Sequence, residues 1–299
     1  MTPAKELPVW RSLLFVPVTV EKFVATAHTR GADGYILDLE DAVAASEKDR
    51  ARTLVQDAAK RVGVGGVDIA VRINRPWRMA LRDIEASVSP SIKALLLPKT
   101  ESADHVKMIA EVVSELEAER GMPHGHTWLI PMVETAAAFF NMHEIPRADP
   151  RVVALNLGSE DFALAIGTLP VAEALFFPMQ QMIIAARAAG VVPMGFMGTV
   201  ADYKDLVAFR ETIRRSRGFG FQGSACIHPG QVAILNEEYG VRADEVAAAR
   251  RMVAAYDAAL AAGKGAVEFE GKMIDVPVVE RAQNVIRRAD ALAKLTRAG

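Results

Sequence analysis

Two carboxylates, Glu134 and Asp161, stand where the chain could hold a hard metal ion. An apolar stretch at 128–133 runs directly into Glu134, and a second one at 152–157 precedes Asp161 by a short turn. A strand that is buried on both faces is apolar along nearly its whole length, so an acid at its end emerges where loops gather. Hard cations such as Mg²⁺ take oxygen ligands and usually keep several waters, so two carboxylates plus substrate oxygens suffice. This placement predicts a Mg²⁺ site at Glu134 and Asp161, with structural ion pairing as the alternative.

Further polar side chains end the other apolar stretches. If these ends share one face, the set gathered there is Asp38, Glu40, Asp41, Arg72, Asn74, Lys99, Glu160 and His228. Arg72 is the natural counter-charge, since a planar guanidinium can hold a carboxylate or a developing enolate oxygen. His228 precedes Pro229, a position from which it can order a site. The pattern therefore predicts an active site in which Arg72 contacts the substrate.

Eight short apolar runs alternate with segments of helical periodicity, over about 250 residues, which is typical of a (β/α)₈ TIM barrel. The runs are 12–16, 35–37, 69–73, 92–97, 128–133, 152–157, 191–197 and 225–227. The rival α/β fold is an open, doubly wound sheet, which usually has a glycine-rich loop after its first strand. The segment 15–19 has no glycine there, and the GxGxxG match at 218–223 leads into a strand rather than following one, which indicates a turn.

The chain changes character near residue 263. Residues 1–262 are predicted to form the catalytic barrel, and 263–299 a C-terminal arm made of a hairpin turning at Gly271 and a helix from Val278. Such an appendage is either a structural cap or a lid that carries a functional residue.

Composition excludes several classes of function. The 299 residues are 51% hydrophobic with a formal net charge of -2, and Lys and Arg are spread along the chain. We therefore expect no nucleic-acid partner and no membrane partner, and a soluble cytoplasmic protein. The single cysteine, Cys226, lies in an apolar run, which favours burial over a catalytic thiol.

A series of short motifs in fixed order resembles the citrate lyase β-subunit/malyl-CoA lyase family, within the wider aldolase/citrate lyase superfamily. The match extends over nearly the whole chain. Its landmarks are the segments 11–17, 38–43, 71–74, 97–99, 131–135, 158–161, 227–229 and 271–277.

The resemblance implies a TIM barrel whose Mg²⁺ is held by Glu134 and Asp161, with Arg72 as the electrostatic catalyst, and a homotrimer or a multiple of it. It implies that Asp275, in the C-terminal arm, serves as acid/base in a neighbouring subunit's active site. Lys22 and the segment around Phe15 are expected to contact CoA.

The family reaction is a reversible Claisen-type cleavage of a 3-hydroxyacyl-CoA, such as malyl-CoA or citramalyl-CoA, to an acyl-CoA plus glyoxylate or pyruvate. A thioesterase or malate-synthase-like enzyme acting on the same esters is the first alternative. A non-catalytic or partner-dependent citrate lyase β-like subunit is the second. The chain departs from the family pattern at Val18, around Met179 and in the turn at 193–199, so the substrate remains open at this point.

Overall fold

The computed structural model describes residues 7–199 and 204–298. The chain divides into two compact units, Met1–Tyr239 and Gly240–Gly299.

The first unit is built on an eight-stranded sheet of order β7-β6-β5-β4-β3-β2-β1-β8. Its strands are β1 (Ser12–Pro17), β2 (Gly34–Asp38), β3 (Asp68–Arg72), β4 (Ala94–Leu97), β5 (Trp128–Val133), β6 (Ala154–Leu157), β7 (Val192–Met194) and β8 (Ser224–Cys226). All neighbouring pairs are parallel. A parallel bridge between Met194 and Gly223 joins β7 to the start of β8. The sheet thus closes into the predicted TIM barrel, and the open doubly wound alternative is wrong.

Helices follow the strands in turn and cover the outside of the sheet. They are α1 (Glu21–Thr26), α2 (Lys48–Val62), α3 (Trp77–Ser87), α4 (Ala103–Glu119), α5 (Ala136–Asn141), α6 (Ser159–Ile166), α7 (Ala172–Ala188), α8 (Leu206–Phe219) and α9 (Pro229–Glu238), with short 3₁₀ turns at Ala27–Thr29, Ala45–Glu47 and Ile145–Arg147. In α4, Val106, Ile109 and Val113 recur at helical spacing and are all buried against the sheet side of the helix.

Side-chain alternation along each strand separates two apolar layers. On β5, Leu129 and Val133 face the helices, whereas Ile130 and Met132 belong to the barrel interior. The same period of two directs Glu134, the next residue in the inward series, toward the barrel axis at the carboxyl end of the strand. The fold therefore aims a carboxylate into the mouth of the barrel.

The second unit holds α10 (Ala243–Ala261), the antiparallel hairpin of β9 (Val267–Phe269) and β10 (Lys272–Ile274), and α11 (Val276–Ala298). The hairpin turns at Glu270 and Gly271, both with positive φ, and the helix begins two residues before the predicted Val278. The compact unit begins at Gly240, not at the expected residue 263, because Tyr256 of α10 packs in one apolar cluster with Ile274 and Val279. Among the described residues, no helix is long and apolar enough to cross a membrane.

Candidate active site

A cavity of about 810 Å³ opens at the carboxyl ends of the barrel strands, within the first unit. Five of the predicted site residues line it together: Phe15, Lys22, Arg72, Glu134 and Asp161. The structure therefore brings the proposed metal ligands, the proposed electrostatic catalyst and the proposed CoA contacts to a single site.

Glu134 is a deeply buried acid of this cavity, with 3% of its surface exposed. Its Oε2 accepts a 2.7 Å hydrogen bond from the backbone N–H of Lys99. Burial raises the pKa of Glu134 to about 7, and the nearby carboxylates Glu40 and Asp161 add to the rise, while the Lys99 hydrogen bond opposes it. A cation bound next to this carboxyl group would stabilise its ionised form.

Gly158 provides the space for the Glu134 side chain. It follows β6 directly, and a Cβ built at this position would lie 2.7 Å from Glu134 Cγ and 2.9 Å from Glu134 Cδ. Such contacts are closer than carbon atoms tolerate, so any other residue would push the carboxylate aside. The glycine is therefore needed for close approach rather than for an unusual backbone angle.

Arg72 lies at the end of β3 and is held by acids from β2 and the loop after it. Its Nε and Nη2 donate to the two oxygens of Asp38 at 2.8 and 2.7 Å, a bidentate pair. Its Nη1 lies 2.9 Å from Glu40 Oε2, and the guanidinium stacks 4.9 Å from the centre of the Phe15 ring. Burial alone would lower the pKa of Arg72, but the hydrogen bonds and charge of Asp38 and its neighbours outweigh it and raise that pKa. Arg72 is thus a fixed positive charge.

Lys99 links the two acidic groups of the site. Its Nζ lies 3.4 Å from Glu40 Oε1 and 3.2 Å from Asp161 Oδ1, while its backbone adopts a left-handed φ of 47°. Its carbonyl accepts a 3.0 Å hydrogen bond from Arg75 Nε. A non-glycine residue in this region is strained, and strain of this kind is concentrated at functional sites. The strained backbone is what turns the Lys99 N–H to Glu134 and its ammonium to Asp161.

The donor set fits a divalent cation. Glu40 Oε2 is buried and accepts no well-aligned hydrogen bond from any described residue, and burial raises the pKa of Glu40. The Lys99 ammonium already lies as a cation against Asp161 and Glu40. Within 7–199 and 204–298 no cluster of three or more His, Cys, Asp or Glu side chains forms a metal cage. A Mg²⁺ ion held by Glu134 and Asp161 would take its remaining ligands from water and substrate.

One side of the cavity mouth is cationic and partly apolar. Lys22 and Arg30 line it from α1 and the turn that follows, and Phe23, half exposed, lies beside them. Sequence reasoning found Lys22 and missed Arg30 and Phe23, although their spacing along one helical segment was a usable signal. The place of Phe15 is more specific than expected, since it lies under the guanidinium of Arg72.

Other predicted residues fall outside this arrangement or support it. Asp275 belongs to the second unit, where it precedes α11 and its Oδ1 accepts a 3.4 Å hydrogen bond from the Val278 N–H. Cys226 is fully buried, which raises its pKa to about 12 and confirms a structural thiol. His228 caps α9 by accepting a 3.1 Å hydrogen bond from the Gly230 N–H through Nδ1, and it lines the cavity.

Two of the three departures from the expected family pattern lie at the cavity wall. Met179 and the turn at 193–199, through Gly195, Phe196 and Gly198, line it, whereas Val18 is buried in the layer between strands and helices. The segment 200–203 after this turn is outside the described residues.

Comparison with known proteins places the chain among lyases. A family model described as HpcH/HpaI aldolase/citrate lyase matches residues 11–229. The citrate lyase subunit beta of Leuconostoc mesenteroides subsp. cremoris is 33% identical over 94% of this chain and 93% of its own length. The human mitochondrial citramalyl-CoA lyase is 29% identical over 94% and 86%.

Among solved structures, protein CitE of Mycobacterium tuberculosis in complex with magnesium, acetoacetate and coenzyme A superimposes with a TM-score of 0.73. It is 30% identical, and the match covers 93% of this chain and 97% of that one. Since the family model spans more than half of the chain, and includes every strand that carries the cavity, this protein is a member of the HpcH/HpaI aldolase/citrate lyase family.

Proposed function

We propose that the protein is a Mg²⁺-dependent lyase that cleaves a carbon–carbon bond in a short 3-hydroxyacyl-CoA, such as malyl-CoA or citramalyl-CoA. The products would be an acyl-CoA and a 2-oxo acid. The observation that carries the proposal is the juxtaposition, in one cavity, of Glu134 and Asp161 with the fixed guanidinium of Arg72. Two acids that a cation would neutralise, beside a permanent positive charge, suit a reaction that passes through an enolate.

The relatives support the same chemistry. One acts, by its name, on citramalyl-CoA, and the CitE structure holds magnesium, acetoacetate and coenzyme A together. The cationic mouth at Lys22 and Arg30 suits the phosphates of a CoA ester.

The residues divide the work of cleavage. Glu134 and Asp161 would hold Mg²⁺, which when bound supplies positive charge beside the carboxylate and hydroxyl oxygens of the substrate. Arg72 has five N–H donors, of which Asp38 takes two and Asp41 one, so donors are left to stabilise negative charge on the thioester oxygen. Asp38 acts as the positioning residue that fixes the plane of the guanidinium.

Proton transfer at the enolate carbon is the role that we propose for Asp275, supplied by a neighbouring subunit of a homotrimer. Subunit mixing tests this directly. Asp161→Asn and Asp275→Ala would each be inactive alone, whereas mixed oligomers would regain activity at sites that combine an intact Asp161 with an intact Asp275. No recovery in mixtures shown to exchange subunits would contradict a shared site.

The first assay uses the purified protein with Mg²⁺ and malyl-CoA or citramalyl-CoA, and follows 2-oxo acid and free thiol separately. We expect 2-oxo acid without free thiol, and loss of the signal on adding EDTA. Free thiol without 2-oxo acid would replace the lyase with a thioesterase. Silence in both channels, relieved only by added acyl-carrier partner chains, would make the protein a partner-dependent subunit.

A further inference from the structure

The cavity continues below the charged residues into the interior of the barrel. On β5 the inward series runs from Glu134 through Met132 to Ile130, and all three line the cavity. At a rise of about 3.3 Å per residue, Ile130 lies about 13 Å along the strand from Glu134. The space below the acids therefore has the depth of an alkyl chain of several carbons.

The walls of this lower part, which we call the barrel floor, are apolar. The floor consists of Leu13, Ile36, Leu96, Ile130, Met132 and Met194. Bulky branched residues usually fill the interior of a TIM barrel. Three strands contribute alanine to the interior, at Ala70, Ala94 and Ala154, but these alanines share their cluster with Trp10 and do not line the cavity.

The barrel floor also has no positively charged side chain among the described residues that line the cavity. Of the described residues that line the cavity, the lysine and arginines are Lys22 and Arg30 at the mouth and Arg72 in the charged layer, so none belongs to the floor. Two neutral polar residues are near it, and their donors bond main-chain carbonyls: Asn156 Nδ2 to Met194 and Ser224 Oγ to Ala225. A carboxylate placed on the floor would be desolvated without a cationic partner.

The geometry of the substrate determines which of its groups faces the barrel floor. The carbinol carbon of a 3-hydroxyacyl-CoA bears a carboxylate and a hydroxyl that belong with Glu134 and Asp161, and a methylene arm that leads through the mouth to CoA. Its fourth substituent is left to face the barrel axis. Resting on the proposed lyase function, we infer that this substituent is an alkyl group, so that the enzyme handles 2-oxo acids with an apolar side chain longer than that of pyruvate.

The reaction remains balanced for such a substrate. The bond between the carbinol carbon and the methylene carbon breaks, the hydroxyl loses its proton and becomes the carbonyl of the 2-oxo acid, and the methylene carbon takes up a proton to give acetyl-CoA. The alkyl substituent leaves unchanged on the 2-oxo acid.

The test runs the reaction in the condensing direction, with Mg²⁺ and acetyl-CoA. The acceptors are glyoxylate, pyruvate, 2-oxobutanoate, 2-oxopentanoate, 2-oxohexanoate and oxaloacetate. Burial of one methylene contributes about 0.8 kcal/mol, so we expect kcat/KM to rise about fourfold per added methylene from pyruvate to 2-oxopentanoate. Oxaloacetate, which carries a second carboxylate, should be at least about tenfold poorer than pyruvate.

Two variants connect the profile to the floor. Ile130→Phe fills the lower space and should abolish the rise with chain length, so that within this variant kcat/KM for 2-oxopentanoate no longer exceeds kcat/KM for pyruvate. Ile130→Leu keeps the volume and should preserve the profile. If Ile130→Phe does not fold, Met194→Phe fills the same space from β7 and is expected to give the same result.

A binding measurement separates the inference from the proposed function. Each 2-oxo acid is added to the protein with Mg²⁺, and the shift of Tm is recorded without CoA. Product from glyoxylate and pyruvate, with longer acids that neither react nor raise Tm, would overturn the alkyl subsite and leave the lyase standing. Shifts that grow with chain length and vanish in Ile130→Phe, without product from any acid, would uphold the subsite and overturn the lyase.

Discussion

Two arginines with little exposed surface lie at opposite ends of the barrel, and their surroundings differ in the balance of charge. Arg151, just before β6, forms a bidentate pair with Glu117 of α4 at 2.9 and 2.7 Å. The same two Glu117 oxygens accept backbone N–H groups of Thr127 and Gly125 at 2.7 and 2.8 Å. One acid faces one base, and every oxygen of the acid is hydrogen-bonded.

At the carboxyl ends of the strands the charges do not balance. Arg72 and Lys99 face five acids, which are Asp38, Glu40, Asp41, Glu134 and Asp161. Lys48, whose Nζ donates to the carbonyls of Leu39 and Glu40, adds a third positive charge. Three positive charges thus meet five negative ones, and two of these acids, Glu40 and Glu134, are buried with raised pKa values.

The pKa directions express the difference. Burial tends to raise the pKa of Glu117, but its hydrogen bonds from Arg151 and two backbone N–H groups win and lower it. The Glu134 carboxyl has one backbone hydrogen bond and two acidic neighbours, so burial wins and raises its pKa. The balanced site stabilises the fold, whereas the unbalanced site is prepared for an added cation.

The largest expected effect comes from removing an acid of the unbalanced site. Asp161→Asn should weaken Mg²⁺ binding and lower turnover by at least about 10³-fold, because the metal supplies several kcal/mol of charge stabilisation in the transition state. Tm should change little, since Asp161 is about one-third exposed and lies in the first turn of α6. Isothermal titration with Mg²⁺ and the lyase assay measure the two effects.

The matched control is Glu173→Gln, which removes an exposed acid from the first turn of α7. It should leave Mg²⁺ affinity and turnover unchanged. If Asp161→Asn keeps wild-type activity after its metal is removed and Mg²⁺ is added back, then Asp161 is not a metal ligand.

A substitution in the balanced site should lower the free energy of unfolding rather than the activity. Arg151→Met leaves the Glu117 carboxylate buried without its charge partner, which costs about 3–5 kcal/mol of unfolding free energy. Urea unfolding measures the loss, and the fraction that remains folded should keep the wild-type KM.

A double-mutant cycle sharpens this prediction. Adding Glu117→Leu to Arg151→Met removes the stranded charge and should recover part of the lost stability. Additive losses would show that the two side chains do not act as a pair.

Lowering the pH is expected to change the stability contributions of Glu134 and Glu117 in opposite directions. The folded pKa of Glu134 is about 7, above its ordinary value of 4.5. The folded state therefore holds this proton more tightly, so the metal-free protein should lose up to about 3 kcal/mol as pH rises between those two values. Glu134→Gln should remove that loss and make the metal-free protein more stable at pH 8 than the wild type.

Glu117→Gln provides the opposite case for the same urea experiment. Because the folded pKa of Glu117 is lowered, its contribution is present at neutral pH and is lost as pH falls through the folded pKa. The variant should be destabilised at pH 8, with a cost that shrinks in acid. If the unfolding free energies of Glu134→Gln and Glu117→Gln, relative to the wild type, changed in the same direction with pH, the proposed difference between the two sites would be wrong.

Much of this architecture could be predicted from the sequence because its signals are local. Continuous apolar runs marked all eight strands, and an acid at the end of a run marked Glu134. The sequence places a boundary near residue 262 because α10 has the same helical periodicity as the barrel helices, whereas the packing of α10 on Ile274 and Val279 groups it with the second unit.

The finer features of the site depend on contacts between segments distant in sequence. The left-handed φ of Lys99 and its bridge to Glu40 and Asp161 have no local sequence signal. Gly158 was visible only as part of a turn, since its need for a missing Cβ arises from a side chain on the neighbouring strand β5.

That need leads to the smallest predicted effect, for Gly158→Ala. The added Cβ would displace the Glu134 carboxylate, which lies within 3 Å of it, without removing any metal ligand. Loss of an orienting contact around a metal typically costs 10- to 100-fold, and we expect Mg²⁺ affinity to fall by about that factor. Isothermal titration at pH 8, where Glu134 is ionised, measures it.

The control for this change is Gly218→Ala in α8, where an added Cβ meets nothing within 4 Å and the backbone is helical. It should leave Mg²⁺ affinity unchanged and stabilise the fold by up to about 1 kcal/mol, because alanine favours a helix over glycine. If Gly158→Ala binds Mg²⁺ as tightly as Gly218→Ala does, then the position of the Glu134 carboxylate is not critical for the metal. Mg²⁺ affinity would then depend on the total negative charge at this end of the barrel rather than on the position of one carboxylate.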